Sequence, residues 1–311
     1  LSSMVSNLLA DAYENCFGAS VRAQDRPKLI AGLFDHESET PFHTRALRNI
    51  ARIARYGLDC GAEGMLVTDW GDFGHVNDPR MAVPGMIFGA QYAWNPAGDT
   101  AENDLLERIS RVEYGDCSAR FVALLRNASA QAVFTWRELV EYLELDDGTG
   151  NCNTDVAQTI PCLADRLVDH LSDCGNAMTV REARNRMMRN MATTIERIPQ
   201  ANRALQQCMV DIAPIAAHMG NPGITAAVRI AMEGQLLLNR VGFALAEAHD
   251  VRDAHDAGDW RPSDYRALAR ELECWCEAYA KEWNATSQPS ELHRIQETVW
   301  KAADELRRIS K

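Results

Sequence analysis

Four side chains suited to holding a sugar crowd into one short stretch: Asp69, Trp70, Asp72 and His75. They follow an apolar run, Met65 to Val67, inside the segment Gly64-Met-Leu-Val-Thr-Asp-Trp-Gly-Asp-Phe-Gly-His-Val-Asn77. Gly71 and Gly74 let the loop turn tightly. An indole ring stacks on the apolar face of a pyranose, and a carboxylate on either side accepts hydrogen bonds from its hydroxyls. In a barrel of parallel strands, the tip after a strand is where chemistry sits. The competing reading is a polar turn whose Trp70 packs on the core.

The flanking sequence supplies elements to position such a loop. Over residues 44–59, Leu47, Ile50, Ala51, Ala54 and Leu58 recur at three- and four-residue spacing, which predicts an amphipathic helix. Thr44 fits its N-cap and Cys60-Gly61 its stop. An apolar run over 28–34 precedes it. After the motif, Pro84 opens a helix through Trp94, and Pro96 ends it. The order strand, helix, strand, helix is that of a parallel α/β sheet.

The run from Gly61 to His75 resembles the last barrel strand of glycoside hydrolase family 20, the β-N-acetylhexosaminidases, in the branch whose barrel is followed by a helical domain. Pro84-Gly85 and Tyr92-Ala93-Trp94-Asn95-Pro96 continue the pattern, as do Trp283 and Gln288-Pro289-Ser290-Glu291-Leu292. The resemblance implies retaining hydrolysis of terminal N-acetylhexosamine, with the substrate's own acetamido oxygen as nucleophile. It implies that Trp70 and Asp72 wall the pocket and bind hydroxyls; Asp69 and His75 belong to the same motif. The implied fold is α/β followed by all-α. Residues 1–98 would be the last strands and helices of a partial (β/α)8 barrel, and residues 99–311 a helical bundle. The resemblance implies no cofactor and no metal, and a carbohydrate substrate.

The chain departs from that pattern in two ways. Only about 40 residues precede the helix before the motif, whereas such a barrel takes about 250, so the acid–base Asp-Glu pair of an earlier strand is missing. Asp116, Asp146-Asp147 and Glu102 fall in helical or loop context instead. Asp35-His36-Glu37 also stands where a small residue and an aromatic are expected. The catalytic residues are therefore unknown, and the expected role is that of a C-terminal portion contributing a sugar-binding wall. The alternative is a non-catalytic sugar-binding or helical interaction module.

Composition bounds the rest. Across 311 residues, hydrophobic content is 46% and charged content 24%, ordinary for a globular protein. A net charge of −12 argues against nucleic acid or an anionic membrane as partner. No apolar run reaches the length of a membrane span. Nine cysteines at irregular spacing read as free thiols in a reducing, cytoplasmic compartment rather than a disulfide framework.

Beyond residue 100 the pattern is helical: 101–126, 131–145, a short helix over 161–173, then 224–249, 263–284 and 289–310. Thr179-Val-Arg-Glu182 reads as a capping box opening a long helix that Pro199 kinks. Met187, Met188 and Met191 read as core filling. His249 and His255 with Asp250, Asp253 and Asp256 look like ligands on paper but read as a solvated loop. His36 and His43 lie near enough in sequence to the motif to reach a sugar. Trp260, Trp275, Trp283 and Trp300 read as helix packing.

Overall fold

The computed structural model describes residues 29–32, 44–62, 64–68, 76–98, 102–146, 148–149, 151–159, 179–249 and 265–310. It divides into two compact units. One is Leu1–Gln131 with Gln206–Ala231, the other Ala132–Leu205 with Met232–Lys311. Residues 99–131, grouped above with the C-terminal helices, fall in the first.

The first unit opens with strands β1 (Leu29–Gly32) and β2 (Met65–Thr68), parallel and in register from Leu29↔Met65 to Gly32↔Thr68. The crossover between them contains helix α1 (Thr44–Asp59), which buries Leu47, Ile50, Ile53 and Ala54. Leu58, expected on that face, is exposed. A Schellman motif ends α1: Ala62 N–H bonds the Gly57 carbonyl at 2.8 Å and Gly61 N–H that of Leu58 at 3.1 Å. Gly61 takes φ +67°, which only glycine adopts without strain. Helix α2 (Val83–Trp94) lies tight on β2 at Gly89, where a Cβ would come within 2.4 Å of Val67 Cγ2. The pleat turns the neighbouring Leu66 away, and it is exposed.

The partial (β/α)8 barrel is overturned. Two four-residue strands form one parallel pair, and among the described residues no third strand joins it. The remaining described elements are helices and single bridges, so the chain is mainly all-α. A strand–helix–strand pattern dictates a parallel pair; it says nothing of how many strands flank it.

Helices α3 (Glu102–Val112) and α4 (Phe121–Ser129) complete the N-terminal part of this unit. They replace the single helix expected over 101–126. Asp116, fully buried, causes the break: its carboxylate accepts from Ser118 N and Oγ and from the backbone N–H groups of Arg120 and Phe121 at 2.6–2.9 Å. Burial alone would raise its pKa; these donors hold it below the usual carboxylate value. Gly115 adjoins Gly220, and the pair is tied by Gly220 N–H to Gly115 O at 3.1 Å.

In the second unit run α5 (Trp136–Glu144), α6 (Thr154–Thr159), α7 (Val180–Asn190), α8 (Ala192–Ile195), α11 (Tyr265–Thr286) and α12 (Leu292–Ile309). Helices α9 (Ile198–Ala216) and α10 (Thr225–Ala248) each have residues in both units. Pro199 opens α9 in its first turn rather than kinking a longer helix. The capping box is real: Thr179 N–H and Oγ1 both meet the Glu182 carboxylate, and Glu182 N–H meets Thr179 Oγ1. Met187 and Met188 are core. Trp275 is buried beside Tyr279, and Trp283 donates to Gln288 O at 2.7 Å, closing the α11–α12 turn. Trp300 is half exposed. The short helix expected over 161–173, with Trp260, lies outside the described residues.

A buried amide clamps the start of α5 to α10. Asn239 Oδ1 accepts from the Val133 and Phe134 N–H groups at 3.1 Å, and its Nδ2 donates to Asn202 at 2.9 Å. Beside it Gly242 touches Phe134 so closely that a Cβ would stand 2.4 Å from Phe134 Cβ. Gly242→Ala should therefore destabilise the protein by up to about 2 kcal/mol in urea denaturation. Overpacking of about 1–3 kcal/mol outweighs the roughly 1 kcal/mol that alanine gains in a helix. A stabilised variant would show that Phe134 yields.

Candidate functional site

Strand β2 ends at Thr68, directly before Asp69. Asp69, Trp70, Asp72 and His75 lie outside the described residues, as do His36 and His43. The chain resumes at Val76 and Asn77. Asn77 is buried, and its Oδ1 has no hydrogen-bond partner among the described residues. Next to it Asp78 caps a 3-10 turn, Pro79–Ala82, and grips Arg80 through bonds of 2.9 and 2.6 Å. The motif is thus followed at once by an acceptor with spare capacity and by a rigid turn.

A cleft of about 1030 Å³ lies in the second unit. Its floor is a cluster that sequence reasoning missed. Helix α12 contributes Lys301, Asp304, Glu305 and Arg308, at a spacing that puts all four on one side. The capping box sets the start of α7, which brings Arg181 and Arg184 to the cleft one turn apart. Helix α5 supplies Tyr142, and His249 follows the last residue of α10.

Glu305 is the hub. Its Oε1 accepts from Tyr142 Oη at 3.0 Å, Arg184 Nη1 at 3.3 Å and Arg308 Nη2 at 2.6 Å. Its Oε2 accepts from Arg308 Nε at 2.7 Å. Burial opposes the carboxylate form, but the bonds from Arg308 and the charge of Arg184 overcome it, so its pKa falls below the usual value. Arg184 also donates Nε–H to the Tyr142 carbonyl at 3.0 Å, and its guanidinium stands 4.4 Å over the Tyr142 ring. Burial, then the Glu305 charge, pushes the Tyr142 phenol far up.

His249 hangs on the same network, with Nε2 2.8 Å from Tyr142 Oη and Nδ1 against the Asn185 side-chain amide. Burial first, then the Arg184 cation, lowers its pKa and favours the neutral ring. Tyr142 gives its only proton to Glu305, so His249 Nε2 must carry the hydrogen. In the neutral ring Nδ1 is then an acceptor, so the Asn185 amide, whose Oδ1 faces Nδ1, must turn over to offer its NH2 end. The solvated loop expected at this histidine is corrected: His249 is part-buried and bonded on both nitrogens. His255 and Asp250, Asp253 and Asp256 lie outside the described residues.

No family model, curated protein or solved structure matches the chain.

Chemically, the cluster is built to hold rather than to react. The one buried carboxylate is committed to two guanidinium groups, and the phenol stays protonated. Among the described residues no three His, Cys, Asp or Glu side chains converge as a metal site would need. A signal for the cluster did exist in the sequence: Arg184 shares the apolar face of α7 with Val180, Met187 and Met188. A charge on a core face requires a buried partner.

Glu305→Gln should cost about 3 kcal/mol in urea denaturation, since it leaves Arg184 buried with weakened pairing while Arg308 turns to water; a neutral outcome would show that the ion pairs are dispensable. Acid should act on the same network in two windows. The depressed pKa of His249 makes its stabilisation complete above about pH 6.5 and lost as pH falls toward its folded value. Glu305, also depressed, loses its share as pH falls below about 4.5. Unfolding free energies at stepped pH should decline through both, and His249→Gln should flatten the first.

Proposed function

We propose that the chain forms part of a glycoside hydrolase acting on terminal N-acetylhexosamine, and that Trp70 and Asp72 supply a wall of its sugar pocket. One observation carries this. The motif begins at the residue after the second strand of a parallel β–α–β unit, the position at which parallel α/β proteins gather ligand-binding residues. The buried, unpartnered Asn77 Oδ1 adds an acceptor at the motif's far end. Asp69 and His75 are the further candidates for hydroxyl recognition.

In this reading the substrate's acetamido group is the nucleophile, and the chain's part is binding: the Trp70 ring against the sugar face, the Asp72 carboxylate on hydroxyls. The partner is a carbohydrate, not nucleic acid or membrane. Among the described residues no helix is long and apolar enough to cross a membrane. The exposed thiols of Cys60, Cys117 and Cys274 suit a reducing, cytoplasmic setting.

The test is hydrolysis of a chromogenic N-acetylglucosaminide by the protein as its own gene encodes it. Trp70→Ala should lower kcat/KM by the equivalent of about 1–3 kcal/mol, a lost stacking surface, and Asp72→Asn should weaken recognition without altering the melting curve. Full activity with both substitutions would remove the two residues from the site and leave Trp70 as a packed side chain in a turn.

A further inference from the structure

The cleft in the second unit carries charges of both signs. Among the described residues three carboxylates line it: Glu305 is held by Arg184 and Arg308, Asp304 by Arg307 at 3.2 Å, and Asp146 accepts an uncharged donor, the Gly148 N–H, at 2.9 Å. Of its four cations, Arg184 and Arg308 share Glu305. The other two, Arg181 on α7 and Lys301 on α12, have no hydrogen-bond or ion-pair partner among the described residues. Among the described residues these two cations stand without a partner, and they come from two helices that line one concavity.

The floor is built rather than incidental. Arg184 is nine-tenths buried and fixed by the Tyr142 carbonyl, the Tyr142 ring and Glu305, so its positive charge cannot swing away into solvent. His249, at the same floor, is kept neutral first by burial; Arg184, Arg308 and Arg181 add to this, and Glu305 opposes it.

We infer that this cleft binds an oxyanion carried by a small molecule, with Arg181 and Lys301 as the paired contacts and the buried Arg184 supplying fixed positive charge behind them. Guanidinium and ammonium groups are the usual donors to phosphate and carboxylate. The cleft's lining residues all belong to the second unit, and its occupancy does not depend on hexosaminidase activity.

Isothermal titration of the whole chain with inorganic phosphate and, separately, with acetate, at one fixed ionic strength, tests this. Saturable binding of phosphate over acetate identifies a phosphoryl ligand; the reverse order identifies a carboxylate. Binding of neither overturns the site. The double variant R181A/K301A, altered only at exposed positions, should weaken binding at least tenfold with an unchanged melting curve; unchanged affinity overturns the assignment. A second readout uses the unaltered protein. An anion in the cleft stabilises the imidazolium, so NMR titration of His249 should move upward in pH at saturating ligand. A His249 titration that ligand leaves unmoved places the anion elsewhere and overturns the inference.

Discussion

The second unit is organised by one carboxylate. Glu305 on α12 collects donors from α5 through Tyr142, from α7 through Arg184 and from its own helix through Arg308. Each of those helices also has an apolar face, but apolar contact is non-directional and would tolerate sliding or rotation. The carboxylate does not, because turning any of the three helices strands a buried charge at a cost of several kcal/mol. Arg184 illustrates the dependence. It sits among Val180, Ala183, Met187 and Met188, and that position is tenable only with Glu305 opposite. Burial keeps Tyr142 protonated, and the same ionised group adds to that by accepting its proton's hydrogen bond.

Both units use a buried polar side chain to fix a loop against a helix, and in each case backbone N–H groups donate to its oxygen. In the first, Asp116 satisfies four donors at the start of α4, at the cost of a non-glycine residue, Ala119, held at φ 58°. In the second, Asn239 accepts two successive backbone N–H groups before α5. An aspartate suits the first position because only donors surround it. An asparagine suits the second because Asn202 stands opposite as an acceptor. Asn202 Nδ2 and Gln235 Oε1 nearby have no partner, so this clamp is less completely satisfied than the Asp116 cap.

What the sequence made legible was local. The apolar spacing of α1, its glycine stop, the capping box of α7 and the outlines of α10, α11 and α12 follow from short-range chemistry, and the structure has them. The pairing of 29–32 with 65–68 was legible too, because an apolar run, an amphipathic helix and a second apolar run have few compact solutions. The barrel was not, since strand number depends on chain beyond the pair and leaves no trace within it. The single helix over 101–126 failed for another reason: Gly115-Asp116 is a weak breaker by composition, and its strength comes from four hydrogen bonds that exist only once the chain has folded. The polar cluster around Glu305 needed the same kind of knowledge, because Tyr142, Arg184, His249 and Glu305 come from four separate stretches of sequence.

Net charge was the least transferable of the sequence-level quantities. A formal charge of −12 describes the whole chain and governs its behaviour at long range. A bound ligand responds instead to charges within about one Debye length, roughly 8 Å at physiological salt. Inside the cleft Glu305 and Asp304 are paired with arginines, while Arg181 and Lys301 have no partner among the described residues. An acidic protein can therefore present a locally cationic surface wherever its carboxylates have been recruited to hold its own helices together. Here the demand for a buried partner to Arg184 engages Glu305, and the pairing of Arg307 engages Asp304. The interactions that fix the fold of α12 thus also set the sign of the cleft it lines.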